Sequence, residues 1–144
     1  MEETLYINKQ KPSYRAWDEI RPELLEKLKT GGMDYADCVS FLVAAEEIYV
    51  NIVMHGYPDG VPEDGSCEVS LLLRTDEKGR AAVIILRDNG MAFDPLQMPE
   101  REPLTTYKGV APGGFGIKVA RDKTDEMQYV RDGESNILSM IKYF

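Results

Sequence analysis

Two polar side chains stand one helical turn apart in an otherwise apolar segment. Glu47 and Asn51 are four positions apart, a spacing that places both side chains on one face of a helix. That face is flanked by Val43, Val50 and Met54 rather than by charges, and Asn is a mediocre helix former. An amide oxygen suits Mg²⁺, and a carboxylate one turn away can orient or deprotonate an attacking hydroxyl. The alternative is a solvated polar stripe on a surface helix.

A second candidate group is the sequence Asp88-Asn89-Gly90, which follows the apolar run AAVIIL. A strand that ends this way delivers Asp88 to apolar surroundings, where a carboxylate needs a hydrogen-bond donor. The amino group of adenine is such a donor, and Gly90 would let the backbone approach a flat ring. The alternative is an ordinary tight turn. Met91 and Phe93, which follow, could line the pocket around the ring or pack in the core, and packing is the expected role.

The third candidate group is a glycine-rich loop that opens a short predicted helix. Successive glycines at a helix N-terminus present N–H donors and the positive end of the helix dipole, so they can bind an anion. The loop residues are Gly113, Gly114, Phe115 and Gly116. The alternative is a flexible connector, and neither GxxxxGK[ST] nor GxGxxG occurs in the sequence.

Two further residues near these groups have open roles. Lys108 precedes the glycine loop and either reaches a phosphate or is solvated. His55, the only histidine, continues the Glu47–Asn51 row and is interpreted as a structural residue near a helix end.

The rest of the chain must position these groups, and its patterns predict a single domain over residues 1–144 with an α+β fold. The expected architecture is a two-layer sandwich with a mostly antiparallel, mixed sheet and helices on one face. The predicted strands are Thr4–Asn8, Cys67–Arg74, Ala81–Arg87, Glu126–Arg131 and Asn136–Phe144, and the predicted helices run from Ser13 to Gly31, from Asp34 or Asp37 to His55, and from Phe115–Gly116 to about Lys123. Residues 88–116 are predicted to be mostly loop, and a loop of this length is usually functional.

Composition narrows the possible partners. The net charge of −8 argues against a broad contact with nucleic acid or an anionic membrane. It leaves room for a small anion held by backbone N–H groups and a metal. The two cysteines, Cys38 and Cys67, have no metal-ligand or CxxC spacing, and no signal pattern opens the chain, so we expect a cytoplasmic protein.

The order and spacing of the three groups resemble a known family. A helical E-x-x-x-N, a strand ending in DNG, GGFG at a helix start and two closing strands resemble the Bergerat ATP-binding fold shared by gyrase, histidine kinases, ninety-kilodalton heat-shock chaperones and mismatch-repair proteins. Within this group the chain looks most like the bacterial anti-sigma factor serine/threonine kinases. The matching segments are Ala45–Asn51 with His55-Gly56-Tyr57, Asp88–Gly90 with Phe93-Asp94-Pro95, Gly113–Ile117, and Thr124–Leu138. Ala92 departs from the wider pattern, in which a second glycine often follows the DNG turn.

The resemblance implies roles for individual residues. Asn51 would hold Mg²⁺, Asp88 would bind adenine, Gly113–Gly116 would form part of the phosphate lid, and Glu47 would be the catalytic base. Members of this family bind a sigma factor, phosphorylate a serine on an anti-anti-sigma (STAS-type) protein, and often form homodimers. The alternative function is a nucleotide-dependent protein-binding module of the same fold without kinase activity.

Overall fold

The computed structural model describes residues 1–97 and 114–144. In chain order the elements are β1 (Glu2–Gln10), α1 (Tyr14–Thr30), α2 (Tyr35–His55), β2 (Cys67–Asp76), β3 (Gly79–Asp88), a 3₁₀ turn (Pro95–Gln97), α3 (Gly114–Asp122), β4 (Glu126–Asp132) and β5 (Ser135–Tyr143). The five described strands form one sheet in the order β1-β2-β3-β5-β4. Each neighbouring pair of these strands is antiparallel, so the parallel component expected of a mixed sheet is not found among them.

Helix α1 begins and ends where the sequence predicts. The Ser13 side chain accepts a hydrogen bond from the backbone N–H of Ala16, which satisfies one of the free donors of the first turn. At the other end the Gly31 N–H donates to the Lys27 carbonyl. Both ends of the helix are therefore capped by residues that the sequence singles out.

One face of the sheet carries the core, because alternate residues of each strand point toward the helices. These strand residues pack with the buried faces of α1, α2 and α3 in one continuous hydrophobic cluster. The fully buried strand residues in it are Val69, Leu71, Ala82, Ile84, Leu86 and Met140. The expected two-layer α+β sandwich with helices on one face is confirmed.

Helix α2 lies at the centre of this core. By length and mean hydropathy it could cross a membrane, but Phe41, Leu42 and Tyr49 are completely buried inside the protein. Core burial therefore explains its apolar composition. Helix α3 packs against α2 through Ile117 and Ala120, which are also fully buried.

All five predicted strands are present in the structure, but most of their ends extend beyond the predicted bounds. β1 extends two residues beyond each end of the predicted Thr4–Asn8. The four added residues, Glu2, Glu3, Lys9 and Gln10, all pair with β2. The hairpin of β2 and β3 continues to the Asp76–Gly79 pair, so residues expected in the turn extend both strands. Charged residues that end a pattern in sequence can still pair through their backbones, which is why pattern alone misplaces strand ends.

Candidate nucleotide-binding site

Asp88 lies at the end of β3 and is almost completely buried, with 5% of its surface exposed. Its Oδ1 accepts hydrogen bonds from the Gly90 N–H at 2.9 Å and from Asn136 Nδ2 at 3.0 Å. No described residue donates a hydrogen bond to Oδ2. Burial raises the pKa of Asp88, and the Asn136 and Gly90 hydrogen bonds and the charge of Arg131 oppose that rise. The carboxylate is thus held on one side and has one acceptor oxygen left for a ligand.

Asp88 forms part of the lining of an apolar pocket between α2 and the sheet. The cavity itself is small, about 30 Å³, and it opens into a cleft whose empty space, including the mouth, is about 400 Å³. Its walls are Ile48, Asn51, Ile52, Gly56, Asp88, Met91, Phe93, Pro95, Tyr129, Asn136 and Leu138. A largely apolar cleft with a few converging polar groups suits a flat heterocycle with one or two hydrogen-bonding edges.

Met91 and Phe93 line the pocket, which is the alternative to the core packing expected of them. Met91 is half exposed. The DNG turn carries them past the end of β3, and the Met91 N–H donates to the Gly56 carbonyl at 2.9 Å. The DNG turn therefore directs the Met91 and Phe93 side chains toward the pocket and not into the core.

The packing of the turn itself requires glycine at position 90. A Cβ at this position would lie 2.6 Å from the Gly56 carbonyl oxygen and 2.9 Å from Asp88 Oδ1. The close approach that needs glycine is therefore to the end of α2 and to Asp88. Gly90 locks the turn against α2 and so fixes where Asp88 lies.

Asn51 projects from α2 into the same pocket. It is 9% exposed, and its Nδ2 is buried without a hydrogen-bond partner among the described residues. An orphaned buried amide is costly unless a ligand satisfies it. Rotation of the amide by 180° exchanges its nitrogen and oxygen, so this end of the side chain fits an oxygen ligand of Mg²⁺.

Glu47 lies one turn before Asn51 and faces the start of α3. A Cβ on Gly116 would lie 2.6 Å from Glu47 Oε2, so the carboxylate occupies the space that a side chain at position 116 would fill. Burial and then the neighbouring charge of Glu46 raise the pKa of Glu47, which moves it toward the range of a general base. Glu46 itself is exposed and accepts a hydrogen bond from Trp17 Nε1 at 2.7 Å.

The glycine loop is only partly described. Gly114 begins α3, and Gly116 is buried in its first turn. Phe115 is helical in its backbone. Gly113 and Lys108, which the sequence also singles out, lie outside the described residues.

His55 ends α2, where a histidine suits the helix dipole. Its Nε2 is buried without a partner among the described residues. It does not line the pocket around Asp88, so the structure keeps it apart from the candidate site.

Sequence reasoning misses two residues of the site, Asn136 and Tyr129. Asn136 faces Asp88 across the β3–β5 ladder and is 6% exposed. Its Oδ1 accepts a hydrogen bond from the Tyr129 hydroxyl. The available signal was a lone Asn at an inward position of a strand that alternates with Leu138 and Met140, because a core-facing amide needs polar partners.

The arrangement of an antiparallel sheet, a core helix with an inward Asn and a buried Asp at a strand end defines the class of ATPase domains found in histidine kinases. The sequence profile of the family described as histidine kinase-like ATPase domain matches residues 13–142. The chain belongs to this family.

The chain is also similar to two known proteins. It is 28% identical over 101 residues to the serine/threonine-protein kinase BtrW of Bordetella bronchiseptica, an alignment that covers 70% of this chain and 67% of the relative. The solved structure of the RsbU and RsbW domains of Rv1364c from Mycobacterium tuberculosis superposes with a TM-score of 0.60 over 96% of this chain, at 16% identity. The chain spans about a third of the length of that protein, 32%, and this likeness shows the fold. The family match thus defines a histidine kinase-like ATPase domain as the class of this protein.

Proposed function

We propose that the protein is an ATP- and Mg²⁺-dependent protein serine kinase of the anti-sigma factor type. The observation that carries this proposal is the pairing of Glu47 with Asn51. The two side chains lie one turn apart on α2, Asn51 lines the pocket that holds Asp88, and Glu47 lies against the start of α3. This arrangement supports a base at Glu47 that acts on phosphates held near the start of α3.

Each group has a chemical role in the proposed reaction. Asp88 Oδ2 accepts a hydrogen bond from the adenine amino group, and the backbone donors at Gly113–Gly116 bind phosphate oxygens. Asn51 would hold Mg²⁺, which would neutralise phosphate charge. Among the described residues, no three His, Cys, Asp or Glu side chains form a metal-binding group, so a metal here relies on Asn51, water and the phosphates.

Glu47 is the proposed general base. It accepts the proton of a serine hydroxyl while that oxygen forms a bond to the γ-phosphorus, and the bond between the γ-phosphorus and the bridging oxygen of ADP breaks. The raised pKa of Glu47 supports this role, because a base is most effective when its pKa lies near the working pH.

The proposed partners are those that the resemblance to anti-sigma factor kinases implies. The serine would belong to an anti-anti-sigma (STAS-type) protein. The kinase would also bind and sequester a sigma factor. We place these reactions in the cytoplasm and propose a homodimer as the working unit. Similarity to a serine/threonine-protein kinase supports the transfer step in this scheme.

The experiment is phosphate transfer from γ-³²P-labelled ATP to purified STAS-type proteins encoded in the same genome. The wild type is compared with Glu47→Gln and, as a matched control, Glu46→Gln, which can keep the hydrogen bond from Trp17. We expect Glu47→Gln to bind Mg-ATP within about twofold of the wild type and to lose at least about a hundredfold in transfer rate, while Glu46→Gln transfers normally.

Two results would overturn the kinase proposal. One is wild-type protein that binds Mg-ATP but labels none of the STAS-type proteins, which leaves a nucleotide-dependent binding module. The other is a Glu47→Gln variant that transfers phosphate at the wild-type rate.

A further inference from the structure

Asn136 lines the pocket and forms hydrogen bonds through both ends of its amide. Its Nδ2 donates to Asp88 Oδ1 at 3.0 Å and to the Met91 carbonyl at 2.9 Å. Its Oδ1 accepts from the Phe93 N–H at 3.3 Å and from the Tyr129 hydroxyl. Three segments of the pocket wall therefore meet at one side chain.

These partners allow only one orientation of the amide. The Phe93 N–H is an obligatory donor, and the Met91 carbonyl is an obligatory acceptor. A flipped Asn136 would turn its NH₂ toward the Phe93 N–H and its oxygen toward the Met91 carbonyl and the Asp88 carboxylate. The Tyr129 hydroxyl reinforces the observed orientation from β4, so the network is fixed before any ligand arrives.

The fixed amide determines how Asp88 can bind a ligand. Asp88 Oδ1 already accepts two hydrogen bonds, from Asn136 and from the Gly90 N–H. Oδ2 receives none from a described residue and is left as the acceptor. A single free acceptor matches one exocyclic amino group, as on C6 of adenine. Guanine instead offers two neighbouring donors, N1–H and N2–H, which pair best with both oxygens of a carboxylate.

We propose that Asn136, oriented by Tyr129, is a positioning residue that makes Asp88 select a 6-aminopurine over a guanine. The inference rests on the proposed ATP site, and it assigns the base selectivity of that site to a residue that acts through Asp88. The Asn136 hydrogen bond also opposes the rise in the pKa of Asp88 caused by burial, which helps to keep the acceptor ionised.

The test is calorimetric binding of ATP, GTP and purine riboside 5′-triphosphate, which has hydrogen in place of the C6 amino group, each with Mg²⁺. The variants are Asn136→Ala, which removes the amide, and Tyr129→Phe, which keeps the ring in the pocket wall and removes only the hydroxyl. The matched control is Asn89→Ala. Asn89 is also an amide in the same turn, but it bonds to Tyr57, Ser66 and Asp64 on the other side of the turn.

We expect Asn136→Ala to reduce the preference for ATP over each of the other two triphosphates by about tenfold or more, the effect of one hydrogen bond to a charged group. Tyr129→Phe should reduce both preferences by a smaller factor, and Asn89→Ala should leave them within twofold of the wild type. A purely structural role for Asn136 would weaken all three ligands equally.

The inference is overturned if Asn136→Ala and Tyr129→Phe both leave the two preferences unchanged while the wild type binds ATP selectively. Tyr129→Phe decides the matter if Asn136→Ala does not fold, since it deletes one atom at the edge of the network. Failure of the wild type to bind any of the three ligands is a separate result, because it removes the proposed function itself.

Discussion

Replacing Asp88 by Asn is expected to weaken ATP binding without lowering the stability of the folded protein. An amide oxygen at the position of Oδ1 can keep both hydrogen bonds, from Gly90 and from Asn136. The amide then places an NH₂ group where Oδ2 stands, and this donor faces the donor of an adenine amino group. A hydrogen bond to a charged group is worth about 1.5–3 kcal/mol, so ATP affinity should fall by about 10- to 150-fold.

The same substitution should not destabilise the folded protein. Because burial raises the pKa of Asp88, the folded state binds this proton more tightly than the unfolded state does. The ionised carboxylate therefore reduces stability above its folded pKa, and the protein gains stability as the pH falls through that pKa toward the ordinary Asp value. A neutral Asn removes this cost, so the melting temperature at pH 7 should be equal to or higher than that of the wild type.

The assay is paired calorimetry and thermal unfolding at pH 7, with Asp94→Asn as the control. Asp94 precedes the pocket residue Pro95 and accepts a bond from the Leu96 N–H, which an amide can also accept. Asp94→Asn should bind ATP within twofold of the wild type. The reasoning is refuted if Asp88→Asn binds ATP as the wild type does, or if it melts more than about 5 °C lower.

Three further substitutions have expected outcomes. Asn51→Ala should make ATP affinity the same in Mg²⁺ as in EDTA, because it removes the proposed metal ligand; a Mg²⁺ effect of wild-type size in calorimetry would contradict this. Gly116→Ala should reduce phosphate transfer by about tenfold or more, because the new Cβ would lie 2.6 Å from Oε2 of Glu47 and displace that carboxylate. The melting temperature should be nearly unchanged, since the end of the Glu47 side chain is flexible. Unchanged transfer would count against Glu47 as the base. Gly90→Ala should lower the free energy of unfolding by about 1–3 kcal/mol and the melting temperature by about 3–10 °C. The reason is that its Cβ would lie 2.6 Å from the Gly56 carbonyl oxygen. Thermal unfolding curves that match the wild type would contradict that contact.

The sequence predicts the elements of the fold well because their signals are local. Ser13 and Gly31 cap the two ends of α1. The alternation of apolar and polar residues in β5 identifies the strand face that carries Leu138 as the buried face. Strand ends were less predictable, since the polar residues at the ends of β1 pair through backbone atoms that carry no sequence signal. The order of the strands in the sheet could not be predicted either. β5 lies between β3 and β4, and its contacts with β3 join residues far apart in the chain.

The candidate site was predictable where one residue carried its own anomaly. A mid-helix Asn51 and an Asp88 at the end of an apolar strand are costly without partners, so each can be recognised from sequence alone. Asn136 and Tyr129 could not be assigned in this way. Their role depends on the register that sets Asn136 opposite Asp88, which pairs residues 48 positions apart.

The most direct test of the account is titration of the wild-type protein with Mg-ATP by isothermal calorimetry, with thermal unfolding in parallel. The account predicts saturable binding at up to millimolar ATP and a rise in melting temperature, both reduced in Asp88→Asn. No heat and no thermal shift at millimolar Mg-ATP would contradict the central claim that this pocket binds ATP.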